Sequence, residues 1–163
     1  MPEPIEFLFD SGAEGWTKDG GVASVTQAVY NDNGNGNGNG NSLNVLQADF
    51  SWTATDENPY FAANIMKNLD LSSYSKIVVK ARIDSDISGM GVKPFIKVTS
   101  DWSWRDGGYS SIDEDGFTTI TFDLSGISAQ ELKTAKAIGV QFVTPNGTAG
   151  SATAYIDEVK VLP

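Results

Sequence analysis

Short runs in which apolar and polar residues alternate recur along the chain, separated by turn residues about every ten positions. In residues 76–83, Ile77 and Val79 fall on one face of a strand, and Lys80 and Arg82 fall on the other. A two-residue period with one polar face is typical of antiparallel sheets. The pattern predicts an all-β fold, a two-sheet antiparallel β-sandwich. The predicted strands are residues 5–9, 21–30, 42–50, 60–66, 76–83, 93–99, 117–123, 137–143 and 153–161.

One short helix is predicted over residues 129–137, because Ser128 and Glu131 have the spacing of a capping box. Residues 31–41, NDNGNGNGNGN, form a low-complexity stretch of Asn and Gly that predicts a flexible loop. This loop is either a passive connector or a source of carbonyl groups for a site. A chain of 163 residues is the length of one domain, so we expect a single domain over 1–163.

The composition excludes several classes of function. With 11 basic and 21 acidic residues, the net charge of −10 argues against binding nucleic acid, which needs clustered Lys and Arg. The chain has no Cys and no His. Disulfides, thiolate or imidazole metal sites, Cys nucleophiles and Ser–His triads are therefore excluded. No apolar run approaches the roughly 20 residues of a membrane-spanning helix, so no membrane partner is expected.

Two of the four tryptophans, Trp102 and Trp104, lie in a polar, turn-like stretch where a core role is poorly supported. In extended chain their rings would point to one side, about 7 Å apart. Such a row of exposed rings suits the C–H faces of β-linked sugars. The hydroxyl groups of the sugar would then need polar partners, for which we expect Asp101, Arg105, Lys97 and Gln141. Trp16 and Trp52 fit either a core or a ligand-facing position.

Carboxylates offer two further interpretations. The clusters at Asp56–Glu57, 113–115 and Asp157–Glu158 suggest a glycosidase pair, but 21 acids in this chain make such clusters expected, and we predict no catalysis. Asp10 ends the first predicted strand and Asp157 lies in the last. If the terminal strands are neighbours, these carboxylates meet, and a structural calcium ion would bridge them. The alternative is that both acids are independently solvated.

Several segments resemble the non-catalytic carbohydrate-binding modules of bacterial mannanases and cellulases, above all families 16 and 27. They are FDSGAEGW (residues 9–16), SLNV (42–45), LDLS (69–72) and YIDEVKV (155–161), in that order. The resemblance implies a sandwich of jelly-roll type that binds β-1,4-linked polysaccharides, namely β-mannan, glucomannan or cello-oligosaccharides. It further implies Trp16, Trp52 and Trp104 as the stacking set, with Trp102 as a substitute for the last.

The resemblance also implies a structural calcium held by Asp10 and Asp157, with backbone carbonyls near Leu8 and Asn41 as partners. Modules of this kind are appended to the catalytic domain of a secreted glycoside hydrolase, so we expect an extracellular, monomeric module. Residues 1–4 (MPEP) do not form a signal peptide, so the sequence is either intracellular or a fragment of a longer protein. Two alternatives stay open: a catalytic jelly-roll glycanase or lyase, and a surface adhesion sandwich with buried tryptophans.

Overall fold

The computed structural model describes residues 1–32, 41–55, 59–112 and 116–163, with the side chains of Asp32 and Asn41 excepted. The predicted loop at 31–41 and the acidic clusters at 56–57 and 113–115 thus fall wholly or mainly outside the described residues. The described strands and helix, in chain order, are β1 (Ile5–Phe7), β2 (Thr17–Gly20), β3 (Ser24–Asp32), β4 (Asn41–Trp52), β5 (Phe61–Leu69), β6 (Lys76–Asp84), β7 (Gly91–Val98), β8 (Ser103–Asp106), β9 (Ser110–Ser111), β10 (Thr118–Asp123), α1 (Ala129–Leu132), β11 (Ala135–Val143) and β12 (Gly150–Leu162).

The strands form two six-stranded antiparallel sheets, which confirms the predicted all-β sandwich. In sheet A the order is β10-β6-β12-β4-β3, with β1 paired to β12. In sheet B the order is β2-β5-β11-β7-β8, with β9 paired to β7. The terminal strands are neighbours, as expected, since Ile5 lies opposite Val161 and Phe7 opposite Val159.

Alternation along the strands builds the core between the sheets. On β6, Ile77, Val79, Ala81 and Ile83 are buried, while the residues between them lie on the outer face. From the other sheet, Phe142 stacks on Phe50 of β4 with ring centroids 5.4 Å apart and an interplanar angle of 9°. One hydrophobic cluster therefore takes residues from both sheets, and burial of this apolar surface stabilises the sandwich.

The helix is shorter than predicted. The capping box is present, since the Ser128 side chain accepts from the Glu131 backbone and the Glu131 side chain accepts from the Ser128 backbone. The helix ends at Leu132, however, and β11 begins at Ala135. Residues 135–137 therefore belong to the sheet, because pairing with both β5 and β7 continues that far.

Three strands were absent from the sequence prediction: β2, β8 and β9. The most consequential is β8, where the polar stretch that resembles a turn forms the edge strand of sheet B. No described helix is long and apolar enough to cross a membrane.

Candidate binding face

The outer face of sheet B brings aromatic and polar side chains together. The strand register places Lys97 of β7 between Ala137 of β11 and Trp104 of β8. Further along β7 and β11, Phe95 lies opposite Gly139, and Lys93 lies opposite Gln141. These residues alternate with core residues along their strands. We call this surface the sheet B face.

The aromatic half of this face is a stack of three layers: the sheet backbone at Gly139, the ring of Phe95 and the indole of Trp104. A Cβ atom on Gly139 would lie 2.2 Å from Cζ of Phe95, so the absence of a side chain there lets the Phe95 ring lie flat on the sheet. The indole of Trp104 covers that ring, with centroids 3.9 Å apart and an interplanar angle of 19°. Phe95 is fully buried as a result, whereas Trp104 is half-buried. The stack directs the second face of the indole away from the sheet.

Trp104 is also fixed within its own plane. Its Nε1–H donates to Oδ2 of Asp106 at 2.7 Å, two residues along the same edge strand. The ring of Tyr60 meets the indole edge-on, with centroids 5.8 Å apart. Stacking, hydrogen bond and edge contact together hold the indole in one orientation before any ligand arrives.

The polar half centres on Asp19 of β2. Its Oδ2 accepts hydrogen bonds from Tyr60 Oη at 3.0 Å, Asn64 Nδ2 at 3.1 Å and Lys97 Nζ at 3.2 Å. Its Oδ1 accepts from the backbone N–H of Gly20 at 3.0 Å. One carboxylate thus gathers donors from strands β5 and β7 and from the residue before β5. Donors held this way are pre-ordered on the surface.

Tyr60 joins the two halves, and its environment keeps it protonated. Burial first, and then the hydrogen bond to Asp19, raise the pKa of the Tyr60 hydroxyl well above its ordinary value. The phenol therefore acts as a hydrogen-bond donor to Asp19 while its ring contacts Trp104.

The sheet B face contains three of the residues that the sequence indicated: Trp104, Lys97 and Gln141. Arg105 does not belong to it, because alternation on β8 turns it to the opposite side, where it pairs with Glu131 of α1 at 2.5 Å. Asp101 lies in the turn before β8 and accepts from the hydroxyls of Thr99 and Ser103, which lower the pKa of its carboxyl. The predicted roles of Arg105 and Asp101 in this face are therefore not supported.

The expectation that Trp16 and Trp52 stack on sugar is wrong. Trp16 is 2% exposed and Trp52 is 5% exposed, and both belong to the core cluster. Trp16 packs edge-on against Phe7 and Phe9, and Trp52 follows Phe50 two residues on, in the inward phase of β4. A ring enclosed in this way has no face for a ligand.

Trp102 is exposed, at 44%, in the turn that precedes β8. Its φ of 60° interrupts the extended chain, so the regular two-residue spacing to Trp104 does not hold. The pair does not form the row expected from extended chain. The adhesion alternative required all four tryptophans to be buried, which Trp102 and Trp104 contradict.

The residues predicted to hold calcium have separate partners in the structure. The Asp157 carboxylate lies 2.8 Å from Nζ of Lys80, and Asp10 accepts from the Asn44 amide at 3.1 Å. Leu8 follows β1 in the chain, and the side chain of Asn41 lies outside the described residues. Within the described ranges, no group of three or more acidic residues could hold a metal ion. The donor set observed here does not fit a bridging cation without movement of Lys80, and the calcium site stays a prediction.

Sequence reasoning missed five members of this surface: Asp19, Tyr60, Asn64, Lys93 and Phe95. Asn64 offered one signal, since it is a polar residue inside the apolar run FAANIM and is only 3% exposed. A buried amide needs a partner, which Asp19 supplies.

Comparison with known proteins assigns the chain to a family. The family model described as "Mannanase, galactose-binding domain-like" matches residues 7–158. The chain belongs to this family. No curated protein sequence matches it. As the matched unit is the galactose-binding-like domain of mannanases, the chain is a non-catalytic carbohydrate-binding module.

Solved structures with the same fold are distant in sequence. A carbohydrate-binding module specific for non-crystalline cellulose (CBM28) is 14% identical with a TM-score of 0.65, and the match covers 96% of this chain and 92% of that one. The Caldicellulosiruptor saccharolyticus module CBM27-1, solved with mannohexaose, is 15% identical with a TM-score of 0.62, covering 100% and 98%. The Clostridium thermocellum xylanase 10B CBM22-1–GH10 structure, solved with xylohexaose, is 16% identical with a TM-score of 0.64, covering 100% of this chain and 29% of that one.

Proposed function

We propose that the sheet B face binds soluble β-1,4-linked polysaccharide chains, namely β-mannan, glucomannan or cello-oligosaccharides, and does not cleave them. The observation that carries this proposal is the orientation of Trp104, which lies flat on Phe95 and turns its other face outward. A pyranose ring presents a flat C–H face of matching size. Covering the indole with it removes apolar surface from water, at roughly 25 cal/mol per Å² before the costs of binding.

The polar groups beside the indole match the equatorial edge of a sugar. Lys97 supplies N–H donors, and Asp19 supplies acceptor oxygens. Gln141 and Lys93 extend this polar surface across the sheet. Each sugar hydroxyl leaves water to make such a contact, so the net gain per hydrogen bond is small. We expect modest affinity, with Kd of roughly 1–100 μM.

The choice of polysaccharide draws on the family and on the fold relatives. The family description names mannanases, and one relative was solved with mannohexaose. Another is specific for non-crystalline cellulose. Both ligands are β-1,4-linked chains of six-carbon sugars, which share the flat faces that an exposed indole favours.

The role of such a module in a larger protein is to raise local concentration. One relative was solved together with a GH10 module. We infer that this module is attached to the catalytic domain of a secreted glycoside hydrolase, that it works outside the cell, and that it acts as a monomer. Binding through the sheet B face would hold the enzyme at its polymer and so raise the effective substrate concentration.

Trp104→Ala, titrated with mannohexaose, cellohexaose and xylohexaose by calorimetry, tests the proposal. We expect binding of the preferred hexaose to weaken by about 30-fold, the scale of an aromatic hot spot. Trp102→Ala is the matched control, because it removes an exposed indole from the neighbouring turn, and its affinity should stay within threefold of the unmutated protein. Equal affinities of Trp104→Ala and the unmutated protein would reject the sheet B face as the site.

A further inference from the structure

The outer face of sheet A, on the opposite side of the sandwich, carries a second groove. Its volume is about 860 Å³, within the range of small-molecule and oligosaccharide sites. The register sets Ser24, Asp49, Thr153 and Asp84 side by side on four adjacent strands. Small side chains such as Ser151 are among the residues that line it. We call it the sheet A groove.

A carboxylate gathers donors here, as Asp19 does on the sheet B face. Oδ2 of Asp49 accepts from Ser24 Oγ and Gln47 Nε2, both at 3.3 Å, and Oδ1 accepts from Thr153 Oγ1 at 2.8 Å. Across the groove, Nε of Arg82 donates to Oδ1 of Asp84 at 2.6 Å. The polar groups that line this groove are therefore held in position by one another.

Aromatic rings adjoin these polar groups. Tyr155 lies opposite Arg82 and two residues from Thr153 along β12. The ring of Tyr30 packs against Tyr155 with centroids 4.8 Å apart and against Phe117 at 5.3 Å. The guanidinium of Arg82 lies 5.6 Å from the centre of the Tyr30 ring. All three aromatic side chains are half-buried and stand outside the core. They reach the groove through Arg82, which lines it and lies against Tyr30 and opposite Tyr155.

The charges of the lining define the ligand class. Asp49, Asp84 and Asp86 contribute three carboxylates against the single guanidinium of Arg82. This excess of negative charge repels uronates and phosphates. Carboxylates and hydroxyls at close spacing are instead suited to accept from, and donate to, the vicinal hydroxyls of a neutral sugar.

We propose that the sheet A groove is a second polysaccharide-binding site, which takes a neutral glycan chain against the Tyr155 edge and the Asp49–Thr153 pair. The choice of ligand class rests on the proposed function of the sheet B face, while the groove itself is an independent feature. Because the two sites lie on opposite faces of the sandwich, one module holds two separate chains. The module would then cross-link polysaccharide as well as anchor to it.

Amide chemical-shift mapping of Trp104→Ala tests this site by itself, since that variant weakens the sheet B face. Mannohexaose, cellohexaose and xylohexaose are titrated in turn. We expect saturable shifts at the amides of Asp49, Asp84 and Thr153 with at least one hexaose. When Ser151→Arg is added to the Trp104→Ala variant, the arginine side chain fills the groove and pairs with its carboxylates. The same shifts should then require at least tenfold more ligand. Ser125→Arg is the matched control, because this serine is exposed in a turn away from the groove, and it should change nothing.

The outcomes separate the two proposals. Shifts confined to the sheet B face of the unmutated protein would overturn the sheet A groove and leave the proposed function standing. Shifts confined to the sheet A groove of the unmutated protein would overturn the proposed function of the sheet B face and leave the second site standing. An absence of shifts on both faces, with all three hexaoses, would overturn both. Retained groove shifts in the Ser151→Arg variant, with its melting temperature unchanged, would also contradict the second site.

Discussion

Lys97 of β7 and Asp19 of β2 form an ion pair across sheet B, with Nζ 3.2 Å from Oδ2, although 78 positions separate them in the chain. The strands β5 and β11 lie between them in the sheet. The ammonium therefore crosses the centre of the sheet B face. Both side chains are partly exposed, so the pair contributes little to stability and instead fixes where a donor stands.

Replacement of Asp19 tests this positioning role. Asp19→Asn keeps the size of the side chain but removes the negative charge that attracts Lys97. It also removes one of the two acceptor oxygens; in the unmutated protein, Tyr60 and Asn64 share a single carboxylate oxygen. We expect hexaose affinity to fall by about tenfold, within the range for loss of a charged hydrogen-bond network. The melting temperature should fall by only a few degrees, since Asp19 lies on a short edge strand.

The control for Asp19 is Asp70→Asn. Asp70 is an exposed aspartate that caps a turn through Ser72, away from the sheet B face. Its affinity should match that of the unmutated protein. If Asp19→Asn binds the hexaose normally while Lys97→Met binds weakly, Lys97 contacts the ligand without help from Asp19, and the positioning role is wrong.

The buried tryptophans should affect stability and not binding. Trp52 packs against Phe50 and Phe61, and its truncation to Ala leaves a cavity between the sheets. We expect Trp52→Ala to lower the free energy of unfolding by about 3–5 kcal/mol, as for other large-to-small core changes. Denaturant unfolding measures this loss. Trp102→Ala removes the same side chain from an exposed position and should cost less than about 0.5 kcal/mol.

Ligand binding supplies the second half of that test. Below its unfolding transition, Trp52→Ala should bind hexaose within threefold of the unmutated protein, because its ring lies in the core. A stable Trp52→Ala variant that has lost all hexaose binding would instead place Trp52 in the ligand site.

The sequence predicts the strands well because their signal is local. Each of the nine predicted runs is a strand in the structure, with ends that differ by a few residues. The same alternation already indicated the position of Trp52, because Leu46, Ala48, Phe50 and Trp52 follow one another at two-residue spacing. Resemblance to ligand-binding tryptophans outweighed that signal, and the stacking prediction for Trp52 failed as a result.

The binding face was only partly predictable, because it depends on strand register. Trp104 could be identified from its polar neighbours alone. The donors around Asp19 could not, since residues 19, 60, 64 and 97 meet only when four strands take their order in sheet B. The Phe95 layer beneath Trp104 depends likewise on Gly139 of another strand.

Chelation tests the predicted calcium site. A calcium ion that binds only the folded state stabilises it, by about 2.7 kcal/mol when its concentration is about a hundred times Kd. If Asp10 and Asp157 share such an ion, EDTA should lower the melting temperature, added calcium should restore it, and Asp157→Ala should no longer respond. Calcium would have to displace Lys80 from Asp157, so Lys80→Met should increase the response. A melting temperature that is unchanged by EDTA in both the unmutated protein and Lys80→Met would reject the predicted calcium site.

Stability in alkaline solution should depend on Tyr60. Its folded-state pKa is raised by burial and by Asp19, whereas in the unfolded chain it titrates near the ordinary value of about 10. Above about pH 10 the native state therefore keeps a proton that the unfolded state has lost, and the free energy of unfolding falls as pH rises. Below that pH the group contributes no pH dependence. Melting temperatures measured from neutral pH into this range should fall more steeply for the unmutated protein than for Tyr60→Phe, which has no proton to lose. Parallel slopes for the two proteins, with the Tyr60 hydroxyl half ionised near pH 10 in the folded state, would show that Asp19 and burial do not hold this proton.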